Sequence, residues 1–150
     1  MKNLILVLAG VIFTFSVQAQ KAKNPVSFSY KAVKKTDGTV DIIALATIEK
    51  GWHIYSQNTD KGGPVPTNIA FKLNPLAKKT GKVLEKGKVE KTFDKTFGVN
   101  VMYYSNQVQF IQNFKIKNGI KTSIYGTVEY MVCDDEMCLP PKKENFEVKI

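Results

Sequence analysis

The sequence predicts an all-β domain, an immunoglobulin-like antiparallel β-sandwich, on three observations. Apolar and polar residues alternate in segment after segment. Turn dipeptides such as Asp37-Gly38 and Asn118-Gly119 punctuate the runs. No long segment carries a helical stripe, and about eight closely spaced strands in one domain favour a sandwich. The chain has 150 residues, enough for a single core. It shows no internal repeat, low-complexity tail or second domain.

The first 20 residues, "MKNLILVLAGVIFTFSVQAQ", place Lys2 before an apolar run and small residues after it. That pattern predicts a signal peptide over 1–19, cut after Ala19, with one domain over 20–150. A membrane helix needs roughly 20 apolar residues, and this run is shorter. No cysteine follows the cut, so no lipid anchor is expected there. The chain is expected to be exported to the periplasm.

The strands follow in order. "VSFSYKAV" sets Val26, Phe28, Tyr30 and Ala32 on one face, before the Asp37-Gly38 hairpin turn. Val40, Ile42, Ala44, Ala46 and Ile48 share a face of the next strand. Ile43 and Leu45 on its other face predict cover on both sides. Residues 57–67 read as a Gly/Pro loop. "NIAFKL" alternates, with Ile69, Phe71 and Leu73 expected inward. "NPLAKKTGK" reads as polar and turn-rich, with two weaker strands expected near 83–92 and 97–104. Val108, Phe110, Phe114 and Ile116 line one face of a clear strand, and Asn118-Gly119 is expected to turn a hairpin. "TSIYGTVEYMVC" and "ENFEVKI" close the chain.

The net charge of +9 invites a nucleic-acid reading. All 22 basic residues are lysine, however, so the bidentate fork that reads guanine or clamps phosphate is absent. Scattered lysines in "KK" and "EKGK" read as a solvated surface, and no nucleic-acid partner is expected.

Both cysteines lie in "VEYMVCDDEMCLPPKKENFEV", residues 128–148. On a helix, residues five apart would sit about 140° apart, too far round for a disulfide. Across a hairpin, residues flanking a four-residue loop face each other with Cα atoms about 4.5–5.5 Å apart, which a disulfide accepts. Export makes that bond the default. Ile124, Val128, Tyr130 and Val132 form an apolar face, while Thr127, Glu129, Met131 and Cys133 form a mixed one. Cys133 is therefore expected on the less buried side, and Pro140 and Pro141 mark a sheet edge or strand break. Closing a ring of about six residues contributes only about 2 kcal/mol in the chain-entropy treatment. Asp134, Asp135 and Glu136 would raise a nearby thiol's pKa, with Lys142 and Lys143 offsetting part of this. The pattern suits a guarded dithiol that reacts when a partner docks. The residues alone leave three readings open: structural staple, exchange pair, or metal clip. Two Cys and one His cannot supply the usual four Cys/His ligands of structural zinc.

The motif Y-x-x-C-x₄-C-x-P-P, from Tyr130 to Pro141, resembles that of the amino-terminal periplasmic domain of the DsbD thiol:disulfide interchange proteins. "GWHIYSQNTDKGGPVPTNIAF" is similar to an early strand and loop of that family, and "FDKTFGVNVMYYSNQVQF" resembles its cap region. The likeness spans about residues 26–150. It implies an immunoglobulin-like carrier that takes electrons from a membrane-embedded thiol donor and passes them to periplasmic thioredoxin-fold acceptors through mixed disulfides. This is protein-disulfide reductase-like, thiol:disulfide interchange activity. Carried over by position, Cys133 and Cys138 are the redox pair, with Cys138 the sulfur that engages partners. Tyr55 lines the site, His53 replaces a second aromatic, Asp94 matches an acidic cap residue, and Phe97 is the candidate lid.

Three departures accompany the likeness. The gap between the cysteines is one residue shorter than usual, Lys95 and Thr96 replace an acid and an aromatic, and no membrane or carboxy-terminal domain is expected after Ile150. The donor is accordingly expected to be a separate membrane-embedded protein. The domain is expected to be a monomer with no metal and no cofactor besides its redox-active disulfide. Trp52 reads as core, and Met131 and Met137 as partner-facing apolar surface. The alternative function is a non-enzymatic immunoglobulin-like binding module with a permanent Cys133–Cys138 bond.

Overall fold

The computed structural model describes residues 24–95, 97–117 and 119–150. The expected signal peptide, 1–19, lies outside them. The described residues form nine strands in two antiparallel sheets. The larger sheet runs β1 (Val26–Lys34), β2 (Thr39–Ile48), β6 (Val99–Ile116), β3 (His53–Tyr55) and β8 (Val132–Cys133), with β5 (Ala77–Asp94) also paired to β6. The smaller sheet runs β4 (Asn68–Phe71), β7 (Ser123–Tyr130) and β9 (Lys142–Lys149).

The alternation read from β1 and β2 is the one that packs. Val40, Ile42, Ala44, Ala46 and Ile48 are all buried, and Asp37 Oδ1 accepts bonds from the Thr39 amide and hydroxyl to fix the β1–β2 turn. Aromatic rings fill the space between the sheets. Tyr30 stacks on Phe146 with centroids 4.4 Å apart, Phe28 meets Tyr130 at 5.1 Å, and Phe71 meets Phe114 edge-on at 5.2 Å. Gly126 is what lets Phe146 lie across β7. A Cβ there would sit 2.3 Å from the Phe146 ring and 2.6 Å from the Ala70 carbonyl.

Four sequence expectations are corrected. Leu73 is fully exposed rather than inward, because β4 ends at Phe71. The turn-rich reading of 74–82 and the two weak strands give way to two 18-residue strands, β5 and β6, that pair along most of their length. The pairing slips at two irregularities, and these spoil the alternation that would have revealed one continuous strand. At the first, Gln112 lies buried in a row of apolar side chains and donates through Nε2 to the Thr80 carbonyl at 2.7 Å. Third, Asn118-Gly119 does not close a hairpin. Asn118 lies outside the described residues, and β6 and β7 belong to different sheets, so this connection crosses the sandwich. Fourth, Trp52 is only partly buried; it packs against the core and also lines the cavity described below.

Candidate functional site

The site is built on the outer face of the larger sheet. Ile54, Tyr104 and Val132 point into the main core, so their chain neighbours point the other way. There Tyr55, Val101 and Cys133 form a second buried cluster, flanked by Val99, Tyr103 and Met131. Cys133 is on the face the alternation assigned to it, opposite Val132, but that face is covered. At 1% exposure Cys133 is buried rather than on the less buried side. Its cover comes from β3 and β6, segments remote in sequence. Met131 likewise packs in this cluster, whereas Met137 is exposed.

A disulfide joins Cys133 to Cys138, with Cα atoms 4.0 Å apart. The two face each other as an antiparallel bridge. Leu139 N donates to Val132 O and Asp134 N to Met137 O, each at 2.9 Å. These bonds flank the cysteines, making them a non-hydrogen-bonded pair, the type whose side chains approach most closely. Asp134 shapes the turn by accepting from the Glu136 and Met137 amides at 2.9 and 2.7 Å. Those bonds hold its carboxyl below the ordinary carboxylate range. Unlike Cys133, Cys138 is exposed. β8 is the last strand of its sheet, so the pair does lie at an edge, and Pro140 and Pro141 follow Cys138 after a single residue, Leu139.

Cross-strand register continues the row. His53 lies opposite Cys133 on one side and Ser105 on the other, so Ser105, His53, Cys133 and Cys138 run side by side across the sheet. Tyr55 projects from the same face two residues on. Its hydroxyl sits 3.2 Å from His53 Nε2, and Tyr103 places its ring 4.7 Å from the imidazole. Burial lowers the His53 pKa from its ordinary value, opposed by Asp135, Asp134, Asp94 and Glu90. Burial, aided by Asp94 and Tyr103, pushes the Tyr55 phenol up to about 12, so it stays protonated at neutral pH.

The tip of the β5–β6 hairpin projects over this row. Asp94 pairs with Val99, its carbonyl accepts from Gly98 N at 2.8 Å, and its Oδ1 accepts from Phe97 N at 3.2 Å. Thr96 lies outside the described residues. Together the hairpin tip, β3 and the cysteine turn enclose a cavity of about 810 Å³. All six residues picked from the sequence, Cys133, Cys138, Tyr55, His53, Asp94 and Phe97, line it. Tyr103, Val101 and Phe93 line it too and were missed. Tyr103 and Val101 could have been found from their alternation with Met102 and Tyr104. Phe93 is 57% exposed, and nothing in its local pattern marks it. Among the described residues, no group of three or more His, Cys, Asp or Glu is placed to hold a metal ion.

The family described as "Thiol:disulfide interchange protein DsbD, N-terminal" matches residues 15–150. The chain belongs to this family. Among solved structures, the reduced DsbD N-terminal domain of Neisseria meningitidis is 18% identical with a TM-score of 0.52, the match covering 80% of this chain and 82% of that one. The N-terminal periplasmic domain of ScsB from Proteus mirabilis is 16% identical with a TM-score of 0.52; the match covers 83% of this chain but only 44% of that one. A complex of the N. meningitidis DsbD and PilB N-terminal domains matches with 16% identity and a TM-score of 0.50, over 86% of this chain and 88% of that one. A search of curated protein sequences found no match. The immunoglobulin-like sandwich expected from the sequence is the fold of these DsbD domains. Among the described residues, no helix is long and apolar enough to cross a membrane.

Proposed function

We propose that this chain is a periplasmic thiol–disulfide exchange protein that carries two electrons on Cys133 and Cys138. One observation carries the reading: the bonded pair is asymmetric, with Cys138 exposed and Cys133 buried beside it on the cavity floor. A staple gains from burying both sulfurs, whereas exchange needs one sulfur open to attack and one shielded. A thiolate of a membrane-embedded donor attacks Cys138 Sγ, and Cys133 Sγ departs. The donor's second thiol then attacks its own sulfur in the mixed disulfide. The donor leaves as a disulfide and the domain is left with two thiols. In the second half, the Cys138 thiolate attacks the disulfide of a thioredoxin-fold acceptor. Cys133 then attacks Cys138 Sγ, which restores the internal bond and releases the acceptor reduced. In this reading the disulfide is the redox group, and the domain works as a monomer. A protein partner is in keeping with the N. meningitidis relative, whose DsbD domain forms a complex with a PilB domain.

Tyr55, His53 and Asp94 line the approach, and Phe97 in the hairpin tip is the lid that restrains small thiols and oxidants. The test is trapping. A Cys133→Ser variant cannot close its internal bond, so it should accumulate mixed disulfides through Cys138 in the periplasm; a complete absence of adducts overturns the reading. The reduction potential gives a second check, because a purely structural bond should lie below about −300 mV and a carrier above it.

A further inference from the structure

We propose that the His53 imidazole is the proton carrier for Cys133, giving a proton to its sulfur as the disulfide opens and taking it back as the bond re-forms. This rests on the exchange reading above and adds a catalytic residue to it.

The chemistry of the leaving sulfur motivates the assignment. When an external thiolate attacks Cys138, the electron pair of the S–S bond moves onto Cys133 Sγ. That atom is buried and begins a turn that carries Asp134 and Asp135. A bare thiolate there loses hydration and faces like charge, and both effects raise its energy. A proton delivered during bond breaking removes the problem. Imidazolium, partner thiolate and protein disulfide then give neutral imidazole, the Cys133 thiol and the mixed disulfide. On closure the imidazole takes the Cys133 proton as that sulfur attacks Cys138 and expels the partner's thiolate.

His53 is placed for this and has the right chemistry. It is directly opposite Cys133 in the β3–β8 pair, where facing Cβ atoms lie about 4.5–5.5 Å apart. It shares the cavity with both cysteines. It is the only histidine in the chain, and imidazole is the side chain whose ordinary titration falls near neutrality. Tyr55 and Tyr103 from β3 and β6 fix the ring through the 3.2 Å contact and the 4.7 Å ring approach. The charged groups acting on it are Asp134 and Asp135 of the cysteine turn, and Glu90 and Asp94 of β5. These four acids favour the imidazolium, against burial, which disfavours it; Glu49, Glu136 and the cation Lys95 also line the cavity. The Tyr55 and Tyr103 phenols have raised pKa values and stay neutral in the same range.

The experiment measures reduction of the oxidised protein by dithiothreitol from about pH 5 to 8, with each rate divided by the concentration of reagent thiolate. In the native protein this constant should fall roughly tenfold as pH rises through the His53 titration, because the proton donor is lost. His53→Gln keeps a polar side chain that does not titrate and should give a flat profile at the low plateau. His53→Tyr, which fills the position with an aromatic, should also be flat. A structural role for His53 would lower the rate at every pH and leave the slope intact, so a slope that survives in either variant overturns the inference while exchange itself stands. Should neither variant fold, proton NMR of the native protein decides: the His53 titration must move between the oxidised and reduced states, and an unmoved curve overturns the inference. A disulfide inert to dithiothreitol at every pH overturns both this and the exchange reading.

Discussion

In the body of the sandwich, Phe28, Tyr30 and Phe114 of one sheet meet Phe71, Tyr130 and Phe146 of the other, and the buried cluster runs from β1 to β9. At the site end the buried hydrophobic cluster among the described residues is Tyr55, Val101 and Cys133, under a hairpin tip with Phe93 exposed and Phe97 half-buried. Among the described residues, the body therefore packs a larger buried cluster than the site end. The difference teaches where rigidity is needed. β3 and β8 present His53, Tyr55 and Cys133 outward while anchoring Ile54 and Val132 in the main core. The floor of the site thus borrows the stiffness of the body, while its cover is a hairpin tip that leaves Phe93 exposed.

The largest expected effect tests the body. Phe110 is 1% exposed, and Phe110→Ala should destabilise the protein by about 3–5 kcal/mol in urea unfolding. A loss below about 1 kcal/mol would erase the contrast between the two ends. Next comes the disulfide. Reducing Cys133–Cys138 should lower stability by only about 2 kcal/mol, since the ring it closes is short. A reduced protein that unfolds outright would make the bond a staple and move the site end into the structural core. The smallest stability change belongs to Phe97→Ala, less than about 1 kcal/mol. That variant should nevertheless speed attack of small thiols on the disulfide severalfold. Unchanged reactivity would remove Phe97 from the role of lid.

His53 stands where the two ends meet, with its backbone between β6 and β8 and its ring in the cavity. Its imidazole pKa is depressed by burial, so the folded oxidised protein should lose stability as pH falls from about 6.5 toward the folded-state value. The loss should stop once both states are protonated.

Much of the fold was legible in the chain. Period-two alternation in β1, β2 and the second half of β6 placed the core correctly, and the Asp37-Gly38 turn marked its hairpin. Local pattern failed where pairing partners impose irregularity. The length of β5 was hidden because β6, not β5's own alternation, holds it extended, and slips in the register interrupt its pattern. Asn106 adopts φ 66 where β6 exchanges β3 for β2 as its partner, a feature no local signal announces.

The sequence by itself determined an all-β chain, which residues of β1, β2 and the second half of β6 face the core, and that two cysteines five apart can bond only across a tight turn. These properties depend on side-chain period and covalent reach, which operate between near neighbours. Tertiary structure alone decided that Cys133 is buried while Cys138 is open, that His53 lies opposite the buried sulfur, and that a hairpin tip roughly forty residues earlier covers them. Those outcomes depend on which strands pair and in what register. That is settled by the free energy of the whole packed sandwich, where a face that looks polar along one strand is covered by another.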